Sequence, residues 1–396
     1  MSTTTPAELL IRAGRRLRVG LVGGGLDSVI GETHQMALRV DGLFDLVAGA
    51  MSIDPDIARA SARAALIDES RSYGDYREMA RAEAERDDGI DLVVIATPPQ
   101  THFEIASTFL AAGVNVLCEK PLVRTAAEAR LLVDAVEHSG LVFALNHCFT
   151  GYPVVRHARD AVAAGVVGRV TMVEMDFPSG DVDLAREPAD PARRHWRFRP
   201  ESMGRAGILG ELGTHAHHLA EYVTGDRVTT VAATMHTFAA GREVYDNAYL
   251  TLGFGGGAVG RIWASYVAIG NEHGLGLRIY GDEGGLLWRQ EDPERLWLQR
   301  AGQPSTLLTK GGAGQSDAAL RSCRFRPGHP EGYLLAFANI YRDLGLSLLA
   351  TLVGDDPAPY RRSLPSVRDG LATLRLYEAA ERSHDAGGTV EVVGQD

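Results

Sequence analysis

The chain has few cysteines, no long apolar run, no basic excess and no internal repeat. Cys118, Cys148 and Cys323 are the only three cysteines among 396 residues, and their scattered positions form no paired pattern. That excludes a disulfide-stapled scaffold and points to a reducing compartment. No apolar stretch reaches the eighteen or so residues needed to cross a bilayer. Lys and Arg number 40 against 51 Asp and Glu, a net charge of −11. There is thus no electrostatic footprint for nucleic acid or for an anionic membrane. The opening Met1-Ser2-Thr3-Thr4-Thr5-Pro6 carries no hydrophobic signal region, and Arg15-Arg16 runs straight into a strand pattern with glycines rather than an export signal. A cytoplasmic protein is expected.

The remaining composition, 45% apolar and 23% charged, is that of a globular protein. Its length is too great for one ordinary core, so two domains are the default. Residues 1–16 read as a loose basic arm. Residues 17–146 read as a doubly wound parallel sheet. Arg18-Val19-Gly20-Leu21-Val22 is a short buried strand ending in Gly23-Gly24-Gly25, a helix follows from about Thr33 to Arg39, and Asp45 to Met51 is a second strand. Asp54 before Pro55 is a helix cap followed by proline at the first helical position. Helices near 75–85 and 102–112 flank a strand at 91–96, and Thr125-Ala126-Ala127-Glu128 is a capping box opening another helix. From 147 to 396 the pattern changes. After a helix at 153–164, alternating segments at 170–177, 229–238, 247–254, 258–266 and 274–280 read as strands of an open, largely antiparallel sheet. A helix at about 208–223 interrupts them, 178–206 and 300–330 read as long loops, and helices at about 331–352 and 366–383 close the chain, with the late helices free to pack back on the first domain.

The stretch around which these pieces are arranged is Glu119-Lys120-Pro121, at the end of the apolar run 114–118. Leu92-Val93-Val94-Ile95-Ala96 ends likewise on Thr97-Pro98-Pro99. In an open parallel sheet the carboxyl ends of strands face the ligand crevice, so a charged side chain delivered there is a candidate for chemistry. Gly23 and Gly25 match the first two glycines of the dinucleotide fingerprint, with Ser28 where the third is expected and Gly31 three residues late. The plainer reading is a glycine loop between strand and helix. After the second strand stands Ser52, with Asp54 two positions on; a carboxylate would bind ribose hydroxyls, whereas a serine tolerates a 2′-phosphate, leaving NAD and NADP both open.

A second constellation is Gly210-Glu211-Leu212-Gly213-Thr214-His215-Ala216-His217-His218. On a helix, Glu211, His215 and His218 share one face while His217 points about half a turn away. The face suits a metal site, a general base with an orienting carboxylate, or a helix of ordinary hydrogen-bonded histidines. His195-Trp196-Arg197, in the long loop before it, offers an apolar ring face and a guanidinium fork for hydroxyls, or equally a plain loop anchor.

Together the glycine turn, Ala96-Thr97-Pro98 with His102, Glu119-Lys120-Pro121, the Gly213–His215 motif and Tyr280-Gly281-Asp282-Glu283-Gly284-Gly285 resemble the Gfo/Idh/MocA oxidoreductase family over nearly the whole chain. Thr150-Gly151-Tyr152-Pro153 and Gly328-His329-Pro330-Glu331-Gly332-Tyr333 look like a longer-chained branch of it. The resemblance implies an α/β protein with an N-terminal Rossmann domain and an α+β domain whose open sheet packs against a partner subunit in a homodimer or homotetramer. It further implies NAD or NADP as cofactor and a sugar, cyclitol or related polyol as substrate. Lys120 matches the family's catalytic lysine and His215 its catalytic histidine. Glu211 stands at a position usually held by aspartate, and His218 at one often held by aspartate. Cofactor contacts are expected from Gly23, Gly25, Leu26, Ser52, Asp54, Thr97, Pro98, His102, Glu119 and Lys120. Substrate contacts are expected from Lys120, Tyr152, Trp196, Arg197, His215 and His218, and no metal.

The chemistry stands beside the resemblance. Oxidising a secondary alcohol needs a base for the hydroxyl proton, which His215 with an ordinary pKa near 6.5 suits. It also needs positive charge near the developing alkoxide, which Lys120 supplies. Two alternatives remain: a glycosidase-like enzyme using retained NAD for transient oxidation, and a cofactor-binding regulator without turnover. Keeping both Lys120 and His215 argues against the latter.

Overall fold

The computed structural model describes residues 5–188, 190 and 195–394. The first four residues of the expected arm and residues 189 and 191–194 of the expected loop lie outside them. The chain forms two compact units: Met1–Val123, Ala127–Cys148 and Leu334–Gly370 in the first, Arg124–Ala126, Phe149–Tyr333 and Leu371–Asp396 in the second.

Unit 1 is built on five parallel strands, β1 (Leu17–Gly23), β2 (Phe44–Ala50), β3 (Leu92–Ala96), β4 (Asn115–Cys118) and β5 (Phe143–Leu145), in the order β2-β1-β3-β4-β5. Every residue of β3 is buried, as a parallel sheet covered on both faces requires. The strand order reverses between β1 and β3, and this topological switch point is where doubly wound folds open a ligand crevice.

The expected loose arm is instead a helix, Pro6–Ala13. Thr5 and Glu8 form a reciprocal capping box at its start, and Gly14 at φ 69° ends it. Leu9 is fully buried, and Arg12 makes a two-pronged pair with Asp355 at 2.6 and 2.7 Å. A run of threonines before Pro6 hides this cap from a reading of charge alone.

Unit 2 carries a nine-stranded mixed sheet. Its strands are β6 (Val170–Pro178), β7 (Val228–His236), β8 (Asn247–Phe254), β9 (Val259–Ser265), β10 (Gly276–Gly281), β11 (Gly284–Arg289), β12 (Arg295–Arg300), β13 (Thr306–Thr309) and β14 (Glu391–Val392), in the order β13-β12-β11-β10-β6-β9-β8-β7-β14. Only β6 and β9 run parallel; the other pairs are antiparallel. The expected sheet is therefore present but longer, and β13 and the helix Asp317–Arg321 occupy part of what reads as loop at 300–330. One face of the sheet is covered by the helices Pro153–Ala163 and Thr214–Thr224. The other keeps Met172, Tyr249, Val259 and Trp297 at 40–55% exposure, beside an ionic ladder in which Asp176 receives Arg278 at 2.9 Å.

Among the described residues no helix is long and apolar enough to cross a membrane.

Because Leu9 is fully buried, Leu9→Ala should lower unfolding stability by about 2–4 kcal/mol. A urea midpoint equal to the parent's would show that the N-terminal helix carries no structural load.

Candidate active site

The chain leaves β1 through two glycines in left-handed conformation, Gly23 at φ 73° and Gly24 at φ 68°. Gly25 N–H donates to Met51 O at 3.1 Å and Leu26 N–H to Ser61 Oγ at 3.0 Å, fixing the turn against the end of β2 and the helix Pro55–Ala64. A Cβ on Gly23 would lie 2.7 Å from Ala96 O, and one on Gly25 would lie 2.8 Å from Met51 O and Ser61 Oγ. The third glycine role falls to Gly31, where a Cβ would sit 2.2 Å from Gly24 O. Ser28, the position expected for it, instead caps the helix Val29–Arg39 by accepting Gly31 N–H at 3.2 Å. The turn thus fits a dinucleotide: backbone free of side chains beside the N-terminus of an eleven-residue helix.

At the end of β2, Ser52 Oγ accepts Asp54 N–H at 3.2 Å. Asp54 Oδ1 accepts Asp56 and Ile57 N–H at 2.9 and 3.1 Å, capping the next helix as its sequence requires.

The ends of β3 and β4 are joined by His102. Its Nε2 lies 2.8 Å from Thr97 O and its Nδ1 3.0 Å from Pro121 O. Burial outweighs these carbonyls and pulls its pKa down. His102 therefore ties together the two loops that bear Thr97, Pro98 and Lys120, itself fully buried.

Glu119 is likewise inside. Its Oε1 lies 3.1 Å from His34 Nε2 and accepts Asn146 Nδ2, while its Oε2 accepts Lys120 N–H at 3.1 Å. His34 Nδ1 lies 2.7 Å from the Tyr341 hydroxyl, whose pKa burial holds well above the ordinary value. Tyr341 then donates to Nδ1, which puts the ring proton on Nε2 and directs it at Glu119. Burial alone would raise the Glu119 carboxyl, but His34 and, after it, Lys120 and Asn146 hold it below its usual range. The next residue, Lys120, is half-buried, and its peptide bond to Pro121 is cis.

In unit 2 the expected regular helix begins with a π turn, Leu209–Gly213, and becomes α-helical only at Thr214–Thr224. The π turn bonds i→i+5 where a regular helix bonds i→i+4, and Glu211 lies within it. Glu211 receives Arg197 Nε at 2.6 Å, and the Arg197 guanidinium lies 4.5 Å over the Trp196 ring. Arg197 N–H donates to His195 Nδ1 at 3.2 Å. Burial and then Arg197 lower the pKa of His195. His215 is buried against Phe149, edge-on at 4.6 Å between ring centroids, with Phe177 at 6.1 Å. His218 faces Tyr222 at 5.9 Å. His217 takes the opposite side, its Nδ1 3.0 Å from Thr373 Oγ1 and its Nε2 3.1 Å from Glu221. Among the described residues no group of three or more His, Cys, Asp or Glu side chains is arranged to hold a metal ion.

Residues 17–147 match the sequence model of an oxidoreductase family with an NAD-binding Rossmann fold, and residues 155–287 match the GFO/IDH/MocA C-terminal domain. The chain is 30% identical over 374 residues to the uncharacterized oxidoreductase YfiI of Bacillus subtilis, covering 94% of this chain and 95% of that one. The chain belongs to the Gfo/Idh/MocA family. It is an NAD-binding oxidoreductase. Among solved structures, an oxidoreductase from Sinorhizobium meliloti is 39% identical with a TM-score of 0.85, over 95% of this chain and 99% of that one. An inositol dehydrogenase homolog from Azotobacter vinelandii, complexed with NADH and myo-inositol, is 34% identical with a TM-score of 0.87, over 96% and 98%.

Within this family member, Gly23, Gly25, Leu26, Thr97, Pro98 and Lys120 gather at the carboxyl ends of the adjacent strands β1, β3 and β4. Ser52 and Asp54 follow β2, with the Asp54 cap using one carboxylate oxygen. His102 and Glu119, expected to touch cofactor, are engaged with main chain and with His34 and Asn146. Tyr152, expected at the substrate, is 2% exposed between Phe149 and Trp288. Reading the sequence missed Ser61, which has no local signal thirty-five residues from its partner Leu26, and Phe149, whose contact with His215 is made only by folding.

Burial would raise the Glu221 carboxyl, yet His217, then Arg227 and the Val228 N–H bring it down to about 2 from an ordinary 4.5. Because the folded value is the lower one, this stabilisation is present above pH 4.5 and is lost as pH falls toward 2. It is worth roughly 3 kcal/mol at neutral pH. Glu221→Gln should therefore be less stable at pH 7 by that order, with the gap to the parent closing toward pH 2 in urea titrations. Equal stability at pH 7 would show that the buried carboxylate contributes nothing.

Proposed function

We propose that this protein interconverts a secondary alcohol and a ketone on a sugar, cyclitol or related polyol, with His215 as general base and acid and Lys120 as the electrostatic and orienting group. The observation that carries the reading is Lys120 at the carboxyl end of β4, on the same sheet edge as the glycine turn and anchored by the Glu119–His34–Asn146 network. The cofactor, held by the backbone at Gly23 and Gly25 with Leu26, Thr97 and Pro98 beside it, accepts hydride in oxidation and returns it in reduction when bound. Lys120 holds the reacting hydroxyl and stabilises negative charge developing on its oxygen. His215 takes the hydroxyl proton in oxidation and gives it back in reduction. The Phe149 and Phe177 rings beside His215 restrict water around the imidazole. Arg197, steadied by Glu211, offers its guanidinium and the Trp196 face to other hydroxyls of the substrate. Glu211 then acts through Arg197, and His102 and Glu119 act by shaping the loops at the sheet edge. Copies of the chain pair through the open face of the unit 2 sheet, giving a homodimer or homotetramer.

The inositol dehydrogenase homolog captured with myo-inositol supports a cyclitol as the first compound to try. Sugars and inositols with NAD and with NADP, followed by the absorbance of the reduced nicotinamide, test the reading; absence of turnover across the set would overturn it. Lys120→Ala should bind NADH nearly as the parent does and lose about 10²–10³ in turnover. Near-parental turnover would remove Lys120 from the chemistry.

Oxidation should rise with pH as His215 gives up its proton. His215→Asn should flatten that rise and cut turnover by roughly 10²–10⁴ while keeping cofactor binding. His217→Asn, which breaks the bonds to Thr373 and Glu221, should reduce stability and leave the turnover of folded protein intact. Equal catalytic loss in both variants, per folded molecule, would mean that neither histidine is the base.

A further inference from the structure

Lys310 is a buried ammonium to which the proposed chemistry assigns no part. Its side chain is 1% exposed, yet it lies under residues 325–330, all of them exposed. Its Nζ donates to Phe325 O at 3.1 Å, His329 O at 2.9 Å and Glu331 Oε1 at 2.8 Å, with Arg326 O at 3.5 Å. Glu331 Oε1 also accepts the N–H groups of Arg324 and Phe325, each at 3.0 Å. Glu294 closes the ring: its side chain accepts the N–H groups of Glu331 and Gly332, and its carbonyl accepts Lys310 N–H at 2.8 Å. A segment with little apolar side-chain burial has no core to set its shape. Here the shape is set by carbonyls converging on one charge, which is tolerated away from water because its partners surround it.

The segment leads directly into Tyr333. That ring lies 6.4 Å from Phe149, which packs edge-on against His215 at 4.6 Å. We propose that Lys310 is a positioning residue: by gathering residues 324–331 around its ammonium it fixes the Tyr333 and Phe149 wall beside His215, and so sets how tightly the polyol is held. This rests on the polyol oxidoreductase reading and deepens it. The lysine touches no substrate and transfers no proton. Its effect runs through the loop to the aromatic wall, so it falls on substrate binding.

The test uses the full-length protein with myo-inositol, or whichever polyol the wild type oxidises, and NAD. Lys310→Met keeps the length of the side chain and removes the charge, leaving Glu331 buried without its partner. It should raise KM for the polyol by about 10-fold or more while kcat changes by less than about 3-fold. The Kd for NADH, read by fluorescence, should stay within about 2-fold of wild type. Its Tm should fall by roughly 5–10 °C. The double variant Lys310→Met/Glu331→Gln removes both charges, so most of the lost Tm should return while KM stays high, because the convergence of carbonyls is still gone. A KM that recovers together with Tm would show that the pair only supports folding, and the inference falls. An unchanged KM in Lys310→Met would overturn it as well. If the wild type oxidised no polyol at all, the functional reading itself would fail and this inference with it, an outcome visible before any variant is made.

Discussion

A carboxylate at the buried end of a parallel strand must find neighbours that favour its charge, and the Glu119 network is built to that constraint. Its oxygens face the His34 ring, the Asn146 amide and the Lys120 N–H. His34 comes from the helix that follows the glycine turn, Asn146 from the end of β5, and Tyr341, which orients His34, from the helix Gly332–Leu352. One desolvated charge therefore ties three separate segments of unit 1 to the point where Lys120 leaves β4. Removing any one partner would leave a buried polar group unsatisfied, a cost that exceeds the modest net gain of an ordinary hydrogen bond. The position of Lys120 is in this sense a consequence of the residue before it.

The same economy of charge recurs in unit 2. Glu221 is surrounded by His217, Arg227 and the Val228 N–H, Glu211 by Arg197, and Lys310 by three carbonyls and Glu331. The pairs sit at the end of the Thr214–Thr224 helix, at the π turn before it, and under the exposed stretch at 325–330. Apolar contact and charge also divide the histidines. His215 packs against aromatic rings, whereas His217 lies within reach of the Thr373 hydroxyl and the Glu221 carboxylate.

Much of this architecture was legible before folding is considered. Local signals marked the strand–glycine–helix unit, the Asp54-Pro55 cap, the buried run ending at Lys120 and the change to alternating strands after residue 165, because each depends on residues adjacent in the chain. The third glycine was misplaced by three residues, since the fingerprint counts positions while the fold counts the distance of a helix from a strand. Only the contact between Gly31 and Gly24 shows which glycine is needed. The N-terminal helix was overlooked although its Thr5–Glu8 capping box and its Gly14 stop are local signals; only its partner Asp355 is remote in sequence. The strands β11 to β13 were passed over for a different reason. They are short, flanked by turn-forming residues, and made strands by pairing with β10 and with one another.

The sequence by itself determined the fold class and the glycine turn that admits a dinucleotide, and it offered Lys120 and His215 as candidates through their resemblance to the family's motifs. The first two follow from residue chemistry and from periodicity, which are local. Tertiary structure alone decided that His102 lies against the Thr97 and Pro121 carbonyls, that Glu119 faces His34 and Asn146, that Tyr152 is buried beside Phe149 and Trp288, and that Glu211, within a π turn, receives Arg197. Those outcomes depend on which polar groups meet once water is excluded, and desolvation is a property of the packed chain, not of any stretch of it.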